Sequence, residues 1–232
     1  MKRISFVLAA LLFAACKQAP STDPLVRGER YFNGLGCVKC HQIGDAGHAW
    51  GPDLTMVGFR KSEAWLDAWL RDPHGWNPKT VMPDFNLNDE ARADLVKYLG
   101  AQKGQAWKTK PWETEHAKAM SSIERGSILF DKAGCITCHG QGGAGGYPNN
   151  NVAGGLIPSL KLVSEGYTRQ ELVQKVKAGA VPIPSDSSAP LPLLEMPKWK
   201  QTLSNAEINA VVDYLFSLKP KGPAGKPSAD DF

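Results

Sequence analysis

Two pentapeptides organise this chain, Cys37-Val38-Lys39-Cys40-His41 and Cys135-Ile136-Thr137-Cys138-His139, 98 residues apart. The segment before each repeats at the same offset: Arg27-Gly28 with Phe32, and Arg125-Gly126 with Phe130. Beyond the pentapeptides the offset grows. Pro52 pairs with Pro158 (106), Leu66 with Val173 (107), Met82 with Met196 (114) and Tyr98 with Tyr214 (116). A steady rise is what insertions in the loops of a second copy produce, so the chain reads as a tandem repeat. The extra residues fall at 140–155 and 181–192, both Gly-, Pro- or polar-rich loop compositions.

Each copy reads as three helices around loops. The first starts near Leu25 or Ser121 and runs towards the pentapeptide. A middle helix spans 62–71, with Trp65, Leu66, Trp69 and Leu70 on one face, and 168–178, with Leu172, Val173 and Val176. The last spans 89–99 and 205–218. Thr168-x-x-Glu171 and Ser204-x-x-Glu207 spell capping boxes. No strand-rich pattern appears, so the fold class is all-α. Residues 101–118, with Trp107 and Trp112, read as a linker that packs partly on the domains, and 219–232 as a Pro/Gly-rich tail.

Composition narrows the function. Hydrophobic residues make up 42% and charged residues 22% of 232, which excludes a polytopic membrane protein and a mostly disordered chain. The formal charge is +4, of which Lys2 and Arg3 supply two, and no basic stripe supports nucleic-acid binding.

Met1-Lys2-Arg3 followed by twelve apolar residues from Ile4 to Ala15 reads as a secretory signal peptide. Twelve residues are too few for a spanning helix. Leu12-Phe13-Ala14-Ala15-Cys16 resembles a bacterial lipobox, with Phe13 where Leu is usual, so Cys16 is the expected lipidation site. The alternative is ordinary cleavage at the small residues. The resulting division is signal peptide 1–15, tether 16–23, first copy 24–100, linker 101–118, second copy 119–218 and tail 219–232.

The remaining four cysteines are those of the two pentapeptides. Cys-x-x-Cys-His is a c-type haem attachment signature. Two thioethers to the haem vinyl groups need cysteines about one helical turn apart, and the next residue presents its imidazole to the iron. A thioredoxin-like pair would sit in a βαβ pattern, which is absent. A four-Cys zinc site would leave both histidines unexplained. Two covalently bound haem c groups are therefore expected, on Cys37, Cys40 and Cys135, Cys138, with His41 and His139 as iron ligands. On the opposite side, Met196 is the one Met after His139, and no His follows His139. A soft thioether suits a six-coordinate haem kept for electron transfer. In the first copy His48, Met56, His74 and Met82 all follow His41. Met82-Pro83 matches Met196-Pro197 ahead of the last helix, which favours Met82 and leaves His74 as the alternative.

With these motifs in place, each copy resembles a class I cytochrome c domain, over about residues 24–218. The resemblance implies two such domains in tandem. It implies that first and last helices cross at Gly28 and at Gly126, with Phe32 against Tyr98 and Phe130 against Tyr214. It also implies that the carbonyls of Pro52 and Pro158 accept a hydrogen bond from the proximal imidazoles. With His and Met on each iron no coordination position is open, so an electron carrier is expected rather than an enzyme. Redox proteins are the expected partners: a quinol-oxidising complex, other cytochromes, a terminal oxidase or a reductase. The expected location is the periplasmic side of a bacterial membrane, held by a lipid anchor. The alternatives are a dihaem oxidoreductase or peroxidase, and a fixed subunit of a larger respiratory complex.

Overall fold

The computed structural model describes residues 21–220; the leader, Cys16 and the chain after residue 220 lie outside them. The first copy contains α1 (Pro24–Gly34), α2 (Val57–Arg60), α3 (Glu63–Arg71), α4 (Pro73–Trp76) and α5 (Asp89–Gly100). After α6 (Glu115–Ala119), the second copy contains α7 (Ser122–Lys132), α8 (Ile136–His139), α9 (Val163–Gly166), α10 (Arg169–Ala178) and α11 (Asn205–Ser217). The fold is all-α, one helical arrangement built twice in tandem. Among the described residues, no helix is long and apolar enough to cross a membrane.

Local chemistry starts these helices where it is expected to. Pro24 opens α1 with its φ already helical, and Asp23 Oδ1 accepts the Leu25 N–H at 2.8 Å. Ser62 caps α3 and Asn88 caps α5 in the same way. Both expected capping boxes form, and Ser121 with Glu124 forms a third at the start of α7. The sequence spells that third box too. One short hairpin, β1 (Gln42–Ile43) against β2 (Ala46–Gly47), was not expected. Its two-residue Gly44-Asp45 turn, with Gly44 at φ 60°, is a hairpin signal in its own right.

In each copy the first and last helices cross backbone to backbone. A Cβ on Gly28 would run into the Asp94 carbonyl, and one on Gly126 into the Ala210 carbonyl. Phe32 then meets Tyr98 with ring centroids 5.6 Å apart, and Phe130 meets Tyr214 at 5.4 Å. Tilted aromatic pairs of this kind contribute about 0.5–1.5 kcal/mol beyond their buried area. Arg27 adds a bidentate pair to the buried Asp94, both contacts at 2.7 Å, across the α1–α5 crossing.

The two cores exchange residues. Leu194 of the second copy is buried in the core of the first, with Phe32, Trp65, Leu66 and Leu95. Met56 of the first copy is buried in the core of the second, with Leu129, Phe130 and Ile208. Trp112, which the sequence places in a linker, is 1% exposed in that same core, and its indole donates to Glu207 Oε1 at 2.5 Å.

The insertions of the second copy build this junction. Asn149 donates to the Leu194 carbonyl at 3.0 Å and accepts from its N–H at 3.2 Å. Asn150 bonds the Leu191 carbonyl and the Leu193 N–H, and Asn151 bonds the carbonyl and the N–H of Asp186. Three consecutive side chains thus tie the 140–155 loop to residues 186–194. The tied loops set Tyr147, Ile157, Leu193 and Leu194 on the core of the first copy.

Candidate haem sites

In the first copy Cys37–Lys39 forms one tight helical turn, entered through Gly36 at φ 79°. The His41 N–H closes the turn on the Cys37 carbonyl at 2.9 Å. His41 Nδ1 lies 2.8 Å from the Pro52 carbonyl, which can only accept, so Nδ1 carries the proton and Nε2 is left free. Gly51 permits this approach, because a Cβ there would sit 2.7 Å from His41 Cε1. Met82 and Cys37 pack on the same apolar cluster, beside Trp69 and Trp76. The Trp69 indole donates to Met82 Sδ at 3.1 Å. His74 and His48 are exposed.

The second copy sets the same residues differently. Ile136–His139 is a helical turn, with the His139 N–H on the Cys135 carbonyl at 3.0 Å. Cys135 and Met196 pack on the second core. Met196 is held by its main chain: its N–H donates to Ala180 at 2.8 Å and its carbonyl accepts from Ala180 at 3.0 Å. The expected bond from His139 to the Pro158 carbonyl is not formed. His139 Nδ1 is buried without a partner. The chain from His139 to Pro158 carries the insertion, whose Gly145 packs on the Pro158 peptide while its N–H takes the His139 carbonyl at 2.7 Å. Burial, with the nearby charge of Lys61, pushes His139 down to about 4, so its ring is neutral at physiological pH with a lone pair available.

None of the four pentapeptide cysteines is paired in a disulfide. Burial pushes Cys135 up to about 12 and raises Cys37 as well. Among the described residues no three His, Cys, Asp or Glu side chains converge on a metal-sized site, so a shared zinc centre is not assembled. The donor set instead fits two separate haems: each copy offers two thiols, one imidazole and one thioether. The buried indole N–H groups of Trp65 and Trp76 have no partner within the protein. Both belong to the cluster that holds Cys37 and Met82, where a bound group with acceptor atoms would satisfy them. A cavity of about 380 Å³ lies between Gly51, Pro52 and Arg60 of the first copy and Ile136 and Thr137 of the second attachment segment.

The "Cytochrome c" family model matches residues 25–103 and again 123–219. Among curated proteins, the chain is 31% identical over 95 residues to cytochrome c oxidase subunit 2 of Alkalihalophilus pseudofirmus, covering 37% of this chain and 28% of that one. It is 27% identical over 88 residues to the C subunit of the nitric oxide reductase of Stutzerimonas stutzeri, covering 35% and 60%. It is 25% identical over 186 residues to CcoP, a subunit of the Cbb3-type cytochrome c oxidase of Helicobacter pylori, covering 79% and 55%. The chain therefore spans less than two thirds of each of these relatives. With both copies matched, the chain belongs to the cytochrome c family, as an electron-transfer haem protein built of two such domains in tandem.

Proposed function

We propose that this chain is an exported dihaem electron carrier, anchored at a membrane surface, that passes single electrons between a membrane-associated donor and a terminal oxidase or reductase. The observation that carries this reading is the pairing, in each copy, of a Cys-x-x-Cys-His turn with a Met on one apolar cluster. Cys37 and Cys40 hold the first haem by thioethers, with His41 and Met82 on its iron. Cys135 and Cys138 hold the second, with His139 and Met196. The exposure of His74 and the half-buried packing of Met82 beside Trp69 favour Met82 as the first distal ligand. Bound haem supplies one-electron exchange between Fe(III) and Fe(II). The protein's part would be to offer each iron one imidazole and one thioether, to orient the imidazoles and to hold water away from the haem. Filled positions leave no place for a substrate, which disfavours a peroxidase.

Curated relatives named as subunits of oxidases and of a nitric oxide reductase support the partner class. They equally support a role as a fixed subunit of such an assembly. Anchoring rests on Cys16 behind the apolar leader. One acyl chain gives only marginal binding, and the two or more chains of a lipoprotein make attachment stable. The deciding measurement is the mass and pyridine haemochrome spectrum of protein purified from membranes. Two covalent haems and acyl mass on Cys16 are expected. One haem, or haem extracted by acid acetone, would overturn the dihaem reading. A soluble chain with an unacylated N-terminus would overturn the anchor alone.

A further inference from the structure

Arg60 and Lys61 close α2 of the first copy, yet both are 7% exposed and both reach into the second copy. Arg60 bonds main-chain carbonyls of its own domain, Asp53 at 2.8 Å and Met56 at 3.3 Å. Its guanidinium lies over Gly134, the residue before Cys135, where a Cβ would overlap it. Lys61 goes further. Its ammonium is 3.0 Å from Cys138 Sγ, 4.4 Å from the centre of the Trp65 ring and 5.2 Å from that of Tyr147. Trp65 belongs to the first copy and Tyr147 to the insertion of the second. Trp65 in turn stacks on Trp69 at 5.4 Å, and Trp69 donates to Met82 Sδ. One ammonium therefore joins the distal wall of the first site to the attachment sulfur of the second.

We propose that Lys61, a residue of the first domain, is a positioning and tuning residue for the haem of the second, where its caged ammonium holds the reduction potential up. The inference rests on covalent haem at Cys135 and Cys138, as proposed above. Aromatic faces and a sulfur are the surroundings that accept a buried cation. Uptake of one electron lowers the charge of the second site by one, with no bond made or broken and no proton required. A fixed positive charge a few ångströms from the attachment sulfur favours that reduced state, and burial leaves the interaction poorly screened. Burial and the neighbouring Arg60 push the Lys61 amine below its usual range. An arginine at this position cannot lose its proton, which makes the two substitutions discriminating.

The test uses the full dihaem protein with Lys61→Met and Lys61→Arg. Midpoint potentials are resolved for each haem by redox titration followed through the NMR methyl signals of the two axial Met ligands. Lys61→Met is expected to shift the redox equilibrium of the second haem about tenfold towards oxidised, and that of the first haem less. Lys61→Arg is expected to restore the wild-type value, and both variants to keep two haems. An unmoved second potential in Lys61→Met overturns the inference, as does an equal fall in Lys61→Arg, which a purely structural role would produce. A rise above wild type in Lys61→Arg with no change in Lys61→Met, the mark of a neutral amine, also overturns it. If Lys61→Met does not accumulate, Lys61→Gln carries the same readout. Absence of haem from Cys135 and Cys138 in the wild type overturns the functional reading and this inference together. Two haems with an unmoved potential overturn the inference alone.

Discussion

In the first copy His41 Nδ1 donates to Pro52 and the Trp69 indole donates to Met82 Sδ; in the second, His139 Nδ1 is buried without a partner and the hydrogen bonds of Met196 are those of its main chain. A hydrogen bond from Nδ1 makes the imidazole a stronger donor, which favours oxidised iron. A hydrogen bond to the Met sulfur draws density from the thioether, which favours reduced iron. With haem held as proposed, the first site would carry both influences and the second neither. The same pentapeptide thus recurs in both copies, while residues far outside it set two sites apart. The position of Trp69 corresponds to Val176 in the second copy, which has no donor to offer.

The most severe way to break this comparison is to delete one of its members. Cys135→Ser with Cys138→Ser should reduce the haem count from two to one. It should also lower the melting temperature of what remains, because Leu194 and Met56 are shared between the cores. Pyridine haemochrome absorbance and calorimetry read both effects, and an unchanged melting transition would show that the domains fold independently.

Met82→Ala and Met196→Ala should each shift their own haem towards oxidised by about a hundredfold, at about 59 mV per tenfold for one electron. Each should abolish the far-red sulfur-to-iron band of that haem. If Met82→Ala leaves the first haem untouched, His74 or another residue is its ligand. Gly28→Ala and Gly126→Ala sharpen the comparison from the opposite side, because here the copies are alike. Each should cost about 1–3 kcal/mol in urea unfolding, since the carbonyls of Asp94 and Ala210 cannot move without parting the helices. A cost in one copy only would mean that the two crossings differ in a way the backbone does not reveal. The smallest effect should come from Trp69→Phe, which removes one N–H and keeps the ring. A hydrogen bond of about 0.5–1.5 kcal/mol corresponds to a shift of up to about tenfold in the first haem, towards oxidised, with the second unmoved. A shift in the second haem would break the assignment of Trp69 to the first.

The parts of this molecule that the sequence makes legible are those encoded within one or two helical turns. The attachment spacing, the caps at Thr168 and Ser204, and the crossing glycines all act over a few residues or repeat at a visible offset. Helix limits agree with the periodicity to within a residue, for example Glu63–Arg71 against 62–71. What stayed hidden lies across the chain. Nothing near Lys61 in sequence points to Cys138, 77 residues away. Nothing near Pro158 shows that the inserted loop takes away its imidazole partner. Trp112 looks like linker because its neighbours are polar, while its own ring is core. The run Asn149-Asn150-Asn151 did carry a signal, since consecutive Asn side chains are suited to bonding nearby backbone. Which backbone they bond is a tertiary fact.

The exchange of Leu194 and Met56 also sets an order in time. Synthesis runs from the N-terminus at about 5–20 residues per second, so residue 194 follows residue 100 by on the order of ten seconds. For that interval the first domain has all its helices but lacks the side chain that closes its core over Trp65 and Leu66. A chain truncated at residue 150 should accordingly bind an apolar dye that the whole chain excludes, and equal exclusion by both would contradict this. The half of the protein made first is closed only by a side chain from the half made second.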